Sequence, residues 1–190
     1  MRVNLPNEGR PLVTTRTPTD LDGAPAASTT AARVVERVAE AGVTLAIYLP
    51  DSVLTDVTRT LEQDPRIPTI VCTREDEGAA IAAGAALGGG LPIVLMEGSG
   101  VGYCGLILAR AQVQRSAFLV IASHSPALGE RHDYHAASRV VGAAVFGGLG
   151  IPYVVPRSAD ELVDVVGEAL VTVRGQRAVV GILVPPSVLQ

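Results

Sequence analysis

The sequence predicts an α/β fold with three α/β/α layers, in which helices cover both faces of a six-stranded parallel sheet. Six short apolar segments alternate with longer segments of helical periodicity along the 190 residues. Strands without an alternating polar face are typical of parallel sheets that helices cover on both sides. The chain is 48% hydrophobic, with no Trp and only two Phe. We therefore expect a core of small branched side chains.

The predicted strands are bounded by turn and cap residues. The first, residues 44–49, ends at Pro50, and Asp51 or Ser52 can cap the helix that follows. The other predicted strands are residues 69–73, 92–96, 118–123, 153–155 and 178–184. The predicted helices run about over residues 29–42, 52–64, 75–88, 103–115, 136–149 and 158–173. The pattern is one helix, five strand–helix pairs and a last strand.

The first 27 residues differ from the rest of the chain. They are polar, rich in Pro, Thr and Ala, and show no helical or strand periodicity. We interpret residues 1–27 as a flexible N-terminal arm and residues 28–190 as one domain.

Composition argues against several function classes. The formal net charge is −4 and no long basic run is present, so nucleic acid and anionic membranes are not expected partners. Two Cys residues form no disulfide framework, which favours a reducing, cytoplasmic location. We find no Cys/His spacing typical of a metal site and no uninterrupted apolar run of membrane-spanning length.

Polar segments follow four of the predicted strands. They are residues 50–52, 73–77, 97–102 and 124–135. Because the carboxyl ends of parallel strands meet at one edge of a sheet, these segments should share a rim, where α/β proteins bind ligands.

A glycine-rich turn, Glu97 to Gly102 (EGSGVG), lies in the third of these segments. Such a turn at a helix start can present backbone N–H groups to phosphate, or it can need Gly for positive φ. The spacing is not that of a dinucleotide fingerprint and no Walker lysine follows. A standalone nucleotide-binding module is therefore disfavoured.

Three acids, Glu75, Asp76 and Glu77, open the third predicted helix. The helix dipole favours acids at this end, which suffices to explain Asp76 and Glu77. Glu75 differs because the small residues after it, GAAIAAGAA, allow the helix to approach another backbone closely. We expect Glu75 to be buried at the edge of that surface.

The segment 73–85 (TREDEGAAIAAGA) resembles the pyrimidine-domain signature of thiamine-diphosphate-dependent enzymes, in which Gly follows a Glu nine residues later, as Gly84 follows Glu75. Residues 93–102 resemble the family's apolar strand and SGxG turn, and residues 49–52 its first-strand loop. The resemblance covers about residues 30–186. It is closest to the alpha-type, pyrimidine-binding subunit of the sulfopyruvate and phosphonopyruvate decarboxylases.

The resemblance implies the aminopyrimidine-binding subunit of a two-subunit, thiamine-diphosphate-dependent 2-oxo acid decarboxylase. In it, Glu75 is the catalytic residue that hydrogen-bonds a pyrimidine nitrogen and promotes formation of the cofactor ylid. Gly98, Ser99 and Gly100 would bind the cofactor with it. Ser52, His135 and Arg139 are the expected substrate residues, and no metal ligand is expected in this chain.

The family anchors diphosphate and Mg²⁺ through a Gly-Asp-Gly…Asn motif on a second domain, and this sequence has no Gly-Asp-Gly. We therefore expect a partner subunit that carries this motif and holds most of both cofactors, in a hetero-oligomer. The Ala- and Gly-rich helix after Glu75 is the expected docking surface. The substrate would be a small 2-oxo acid.

Two alternatives remain open at this point. The chain could belong to a carboligase similar to acetolactate synthase, or it could be a non-catalytic regulatory subunit. Relatives tend to have Asn where Gly98 and Tyr103 stand, a departure that bears on the substrate more than on the cofactor.

Overall fold

The structure, a computed structural model, describes residues 29–125 and 135–189. The predicted arm, residues 1–27, lies outside the described residues. Six α-helices are present in this part of the chain: α1 Thr30–Glu40, α2 Thr55–Gln63, α3 Glu75–Leu87, α4 Gly105–Gln114, α5 Ala136–Gly148 and α6 Ala159–Gln176. Thr29 caps α1, because its hydroxyl accepts a hydrogen bond from the Ala32 N–H.

The strands are β1 Leu45–Tyr48, β2 Thr69–Val71, β3 Pro92–Met96, β4 Leu119–Ser123, β5 Tyr153–Val154 and β6 Val180–Val184. They form one sheet in the order β2-β1-β3-β4-β6-β5, and every pairing is parallel. The predicted six-stranded parallel sheet between helices is confirmed.

The strands at the centre of the sheet are the most apolar. Every residue of β3, β4 and β6 is buried. The edge strands β2 and β5 are shorter than the runs that predict them, and Val71 is 59% exposed. An edge strand has hydrogen-bonding neighbours on one side only, so its ends are less firmly held.

Two apolar clusters fill the space between the sheet and its helices. One joins α1, α2 and α6 to one face, with Val34, Leu61 and Val166 among its buried members. The other joins α3, α4 and α5 to the opposite face, with Ala82, Leu108 and Phe146 among its members. Burial of apolar side chains on both faces is what stabilises this three-layer arrangement.

The chain between β3 and α4 differs from the prediction. Helix α4 begins at Gly105 rather than at Tyr103, and a 3-10 turn over Gly100–Gly102 precedes it. This places the glycine-rich turn directly above the carboxyl end of β3. Among the described residues, no helix has both the length and the hydropathy to cross a membrane.

Candidate active site

A cleft of about 570 Å³ opens at the carboxyl edge of the sheet, above β1, β3, β4 and β6. Loops after these strands and the start of α5 supply its walls. Its described lining comprises three carboxylates, two imidazoles, four hydroxyls and four apolar side chains: Asp51, Asp56, Glu97, His124, His135, Ser52, Ser123, Ser125, Ser138, Pro50, Val53, Pro186 and Leu189. A polar concavity at this edge is where α/β folds bind ligands.

Asp51 organises the wall that follows β1. One carboxylate oxygen accepts hydrogen bonds from the N–H groups of Val53 and Leu54, at 2.9 Å each. The other accepts one from the Ser123 hydroxyl, also at 2.9 Å. Asp51 therefore forms the turn that leads into α2 and ties the end of β1 to the end of β4.

The floor of the cleft lies between the ends of β3 and β4. The Ser138 hydroxyl of α5 donates a short hydrogen bond to the Glu97 carboxylate. Gly98 lies buried beside them, and a Cβ there would stand 2.2 Å from the Ser123 carbonyl oxygen. Only glycine fits at this position, which explains in physical terms why no Asn side chain stands at 98.

Glu75, at the first position of α3, lies against the glycine-rich turn. A Cβ on Gly100 would stand 2.2 Å from the Glu75 Cγ and 2.7 Å from its Oε1. Positive φ is not the reason for these glycines, because Gly98, Gly100 and Gly102 all lie outside the left-handed region. The turn needs Gly because the backbone approaches Glu75 closely.

The Glu75 carboxylate has no hydrogen-bond partner within residues 29–125 and 135–189. The side chain is half-buried, not enclosed as predicted, because the Gly100 turn covers it from one side. A carboxylate that is held in place and has free acceptors fits the role of bonding a ring nitrogen of an aminopyrimidine. The residues present thus fit the cofactor that the sequence predicts.

The two acids next to Glu75 have local partners. The Arg74 guanidinium donates two hydrogen bonds of 2.9 Å to the Asp76 carboxylate and holds its pKa below the usual range. Glu77 accepts from the N–H and hydroxyl of Thr73, both at 3.2 Å. Arg74 also lies over the Tyr103 ring, 5.9 Å from its centroid. Asp76 and Glu77 are therefore engaged in local bonds, in contrast to Glu75.

Cys104 lies next to Gly100 in the glycine-rich turn and is not a nucleophile. Its thiol donates to the Gly100 carbonyl over 3.5 Å and is 1% exposed. Burial, with a smaller contribution from the nearby Glu75 charge, raises its pKa to about 12. The thiol is thus protonated at neutral pH and serves packing.

The structure brings Ser52 and His135 together in the cleft, as predicted for substrate residues, although their roles stay predictions. Arg139 follows one turn after His135 on α5 and does not belong to the described lining. Its charge lowers the pKa of His124, an effect smaller than that of burial. His132 lies outside the described residues.

Several cleft residues were not singled out from the sequence as site residues. Asp56, Glu97, Ser123 and Ser138 all line the cleft. Glu97 directly follows β3, so its place at the carboxyl end of a strand was a usable signal. Ser138 had no such signal, because it reaches the cleft from a helix.

No group of three or more His, Cys, Asp or Glu side chains suited to a metal ion occurs in the part of the chain that the structure describes. The predicted cofactor residues Gly98, Ser99 and Gly100 form the turn between the cleft and Glu75. Their contact with a cofactor stays a prediction.

Comparisons with known proteins identify a family for this chain. Residues 28–142 match the family described as thiamine pyrophosphate enzyme, N-terminal TPP binding domain. The chain is 30% identical to the sulfopyruvate decarboxylase subunit alpha of Methanothermobacter thermautotrophicus over 146 residues, 76% of this chain and 88% of that protein. It is 29% identical to the subunit of the same name from Methanococcus maripaludis, over 72% of this chain and 82% of that protein.

Two further likenesses cover less of the other protein. A 72-residue segment is 40% identical to phosphonopyruvate decarboxylase of Streptomyces viridochromogenes, covering 38% of this chain and 18% of that protein. The structure of 2-oxoglutarate:ferredoxin oxidoreductase from Magnetococcus marinus superposes with a TM-score of 0.65 at 16% identity, over 85% of this chain and 29% of that chain, which shows the fold alone.

The family match covers more than half of the chain, and the similarity to the alpha subunits extends over nearly their whole length. The chain belongs to the thiamine pyrophosphate enzyme family, as an N-terminal, TPP-binding domain of the alpha-subunit type found in sulfopyruvate decarboxylase.

Proposed function

We propose that this chain is the aminopyrimidine-binding subunit of a two-subunit, thiamine-diphosphate-dependent 2-oxo acid decarboxylase. The observation that carries the proposal is the Glu75 carboxylate, fixed against Gly100 yet without a hydrogen-bond partner in the described part of the chain. The names of the related alpha subunits support the same reaction class.

In this proposal Glu75 is the catalytic residue and shares a proton with a ring nitrogen of the bound aminopyrimidine. When bound, thiamine diphosphate supplies the carbon nucleophile and the electron sink. Overall, the bond between the carboxylate and the oxo carbon breaks, CO₂ leaves, and a proton is taken up to give an aldehyde. Ser52 and His135 would orient the substrate from the walls of the cleft.

A partner subunit would hold the diphosphate and Mg²⁺ through a Gly-Asp-Gly…Asn motif. The open faces of α3 and α4 support docking of such a partner, since Leu87 and Leu106 are 62% and 66% exposed there. Gly84, three residues before Leu87 on α3, has no atom within 4 Å of a Cβ built on it, which leaves room for a close approach. Exposed apolar surface of this kind marks contact sites between proteins.

The test is Glu75→Gln in the complex of this chain with its copurified partner. Removal of the shared proton should lower kcat about 10²- to 10⁴-fold, with the complex intact. Glu77→Gln is the matched control, since Glu77 stands on the same helical turn and its carboxylate bonds only Thr73 among the described residues. Full turnover by Glu75→Gln would refute the proposed role and favour a regulatory subunit.

A further inference from the structure

Arg74 stands directly before α3 and lies beside the same turn as Glu75. Its guanidinium is 5.9 Å from the centroid of the Tyr103 ring. The Tyr103 N–H donates a 3.0 Å hydrogen bond to the Gly100 carbonyl, and Gly100 is the residue that covers Glu75. Hydrogen bonds to Asp76 raise the pKa of Arg74, and the charge of Glu75 adds a smaller contribution. A cation and the proposed catalytic carboxylate are thus close neighbours.

An arginine in this place could bond Glu75 and block it. Guanidinium and carboxylate groups form paired, charge-assisted hydrogen bonds. Such a pair would occupy the Glu75 oxygens, which the proposed function requires as acceptors for a ring nitrogen. The structure shows another arrangement, because the Glu75 carboxylate has no hydrogen-bond partner among the described residues. The donors of Arg74 are directed elsewhere.

Asp76 binds the guanidinium instead. Its two carboxylate oxygens accept hydrogen bonds from Nε and Nη2 of Arg74, at 2.9 Å each. The Glu77 N–H donates a third hydrogen bond, of 3.0 Å, to the same carboxylate, which fixes its orientation at the start of the helix. The guanidinium also lies over the Tyr103 ring. Arg74 is therefore held by an acid one residue beyond Glu75 on α3.

We propose, on the basis of the proposed function, that Asp76 is a positioning residue that binds Arg74 and so keeps the Glu75 oxygens available to the aminopyrimidine. This role goes beyond the general preference for acids at a helix N-terminus, which Asp76 shares with Glu77. It also separates the two acids, because the Glu77 carboxylate bonds Thr73 and has no arginine partner among the described residues. Without the Asp76 charge, Arg74 turns to Glu75, and the cofactor then competes with the guanidinium for this carboxylate.

The test is Asp76→Asn in the complex of this chain with its copurified partner, because Asn retains the size of Asp and removes the charge. We expect calorimetry to show a dissociation constant for thiamine diphosphate, in the presence of Mg²⁺, that is about two- to fivefold higher. The effect is small because the side chains of Arg74 and Asp76 are 65% and 32% exposed, so solvent screens the pair. At saturating cofactor kcat should be unchanged, since excess thiamine diphosphate displaces the guanidinium. Glu77→Gln removes a charge from the same helical turn and should leave the dissociation constant unchanged.

The deciding variant combines Arg74→Gln with Asp76→Asn. With the competing guanidinium removed, the dissociation constant should return to that of the unmodified complex, which a role of Asp76 in helix stability alone would not allow. Unchanged binding by Asp76→Asn, loss of the complex in that variant, or equally weak binding by the double variant would overturn the inference alone. If the unmodified complex binds no thiamine diphosphate, the proposed function fails and the inference fails with it.

Discussion

The two helical layers of this domain differ in what they present to the outside. Charged pairs cover the layer of α1, α2 and α6: Arg33 bonds Asp160 at 2.8 Å, and Arg66 joins Glu36 to Asp64. The layer of α3, α4 and α5 exposes more large apolar side chains, namely Leu87, Tyr103, Leu106, Val113 and Val140, whereas Val171 is the one such side chain exposed on the described helices of the other layer. The first layer thus has a mainly charged surface that suits contact with water. The second has the exposed apolar surface that is typical of contact sites between proteins.

Three glycines on one side of the sheet differ in their surroundings. Gly98 and Gly100 allow backbone to approach Ser123 and Glu75 within the chain. Gly84, in α3, meets nothing within 4 Å and costs helix stability without a benefit in this chain. Its benefit is expected in contact with a partner.

Among the changes that compare the two layers, the largest expected effect is on subunit association. Gly84→Arg places a long side chain on the open face of α3 and should weaken binding of the partner more than about tenfold, with the fold unchanged. Gly175→Arg is the matched control, because Gly175 on α6 is equally free of neighbours but belongs to the charged layer. Copurification yield and circular dichroism measure the two quantities. Equal loss of partner in both variants would remove the distinction between the layers.

The second-largest expected effect is on the free energy of unfolding. Gly98→Ala would force a methyl group to within 2.2 Å of the Ser123 carbonyl oxygen and should lower the free energy of unfolding by about 1–3 kcal/mol. Gly147→Ala, in α5 with open space around it, should raise it by about 0.5–1 kcal/mol instead. Urea unfolding of the isolated chain compares them. Similar stability of both variants would contradict the close approach at 98.

The smallest expected effect is on the melting temperature, through an ion pair of the charged layer. Hydrogen bonds from Arg66 lower the pKa of Asp64 to about 2, below its unfolded-state value of about 3.9. A lowered carboxyl pKa stabilises the fold above the unfolded value, and this contribution is lost as pH falls through about 2. Asp64→Asn should therefore lower the melting temperature slightly at pH 7, and the difference should disappear toward pH 2.

Thermal unfolding between pH 2 and 7 measures this, with Asp164→Asn as the control, since Asp164 has no ion pair among the described residues. A pH-independent difference for Asp64→Asn would show that its effect is not electrostatic.

The order and type of the elements follow from apolar periodicity, which is a local property, and for this reason all six strands and six helices were predicted. The ends of β1, β2, β5 and β6 were predicted one or two residues too long, because the point at which a strand stops pairing with its neighbours is a tertiary property. The order of strands in the sheet likewise depends on packing that no single segment encodes.

Some of the site residues were predictable because their signals, like apolar periodicity, are local in the sequence. Glu75 stood out through its spacing to Gly84, and the rim segments through their position after strands. The bonds from Ser123 to Asp51 and from Ser138 to Glu97 join residues 72 and 41 positions apart, so only the folded chain reveals them. That Asp51, Asp56 and Glu97 line one cleft also became evident only from the folded chain.

The central claim is that the apolar layer is completed by a second subunit that shares the cofactor with Glu75. The direct measurement is copurification of the tagged chain with its native partner, with mass spectrometry of the complex and an assay of its thiamine diphosphate. We predict a polypeptide that carries Gly-Asp-Gly…Asn, with cofactor bound by the complex and not by either subunit alone. Recovery of the chain by itself, or a complex that binds no thiamine diphosphate, would contradict the claim.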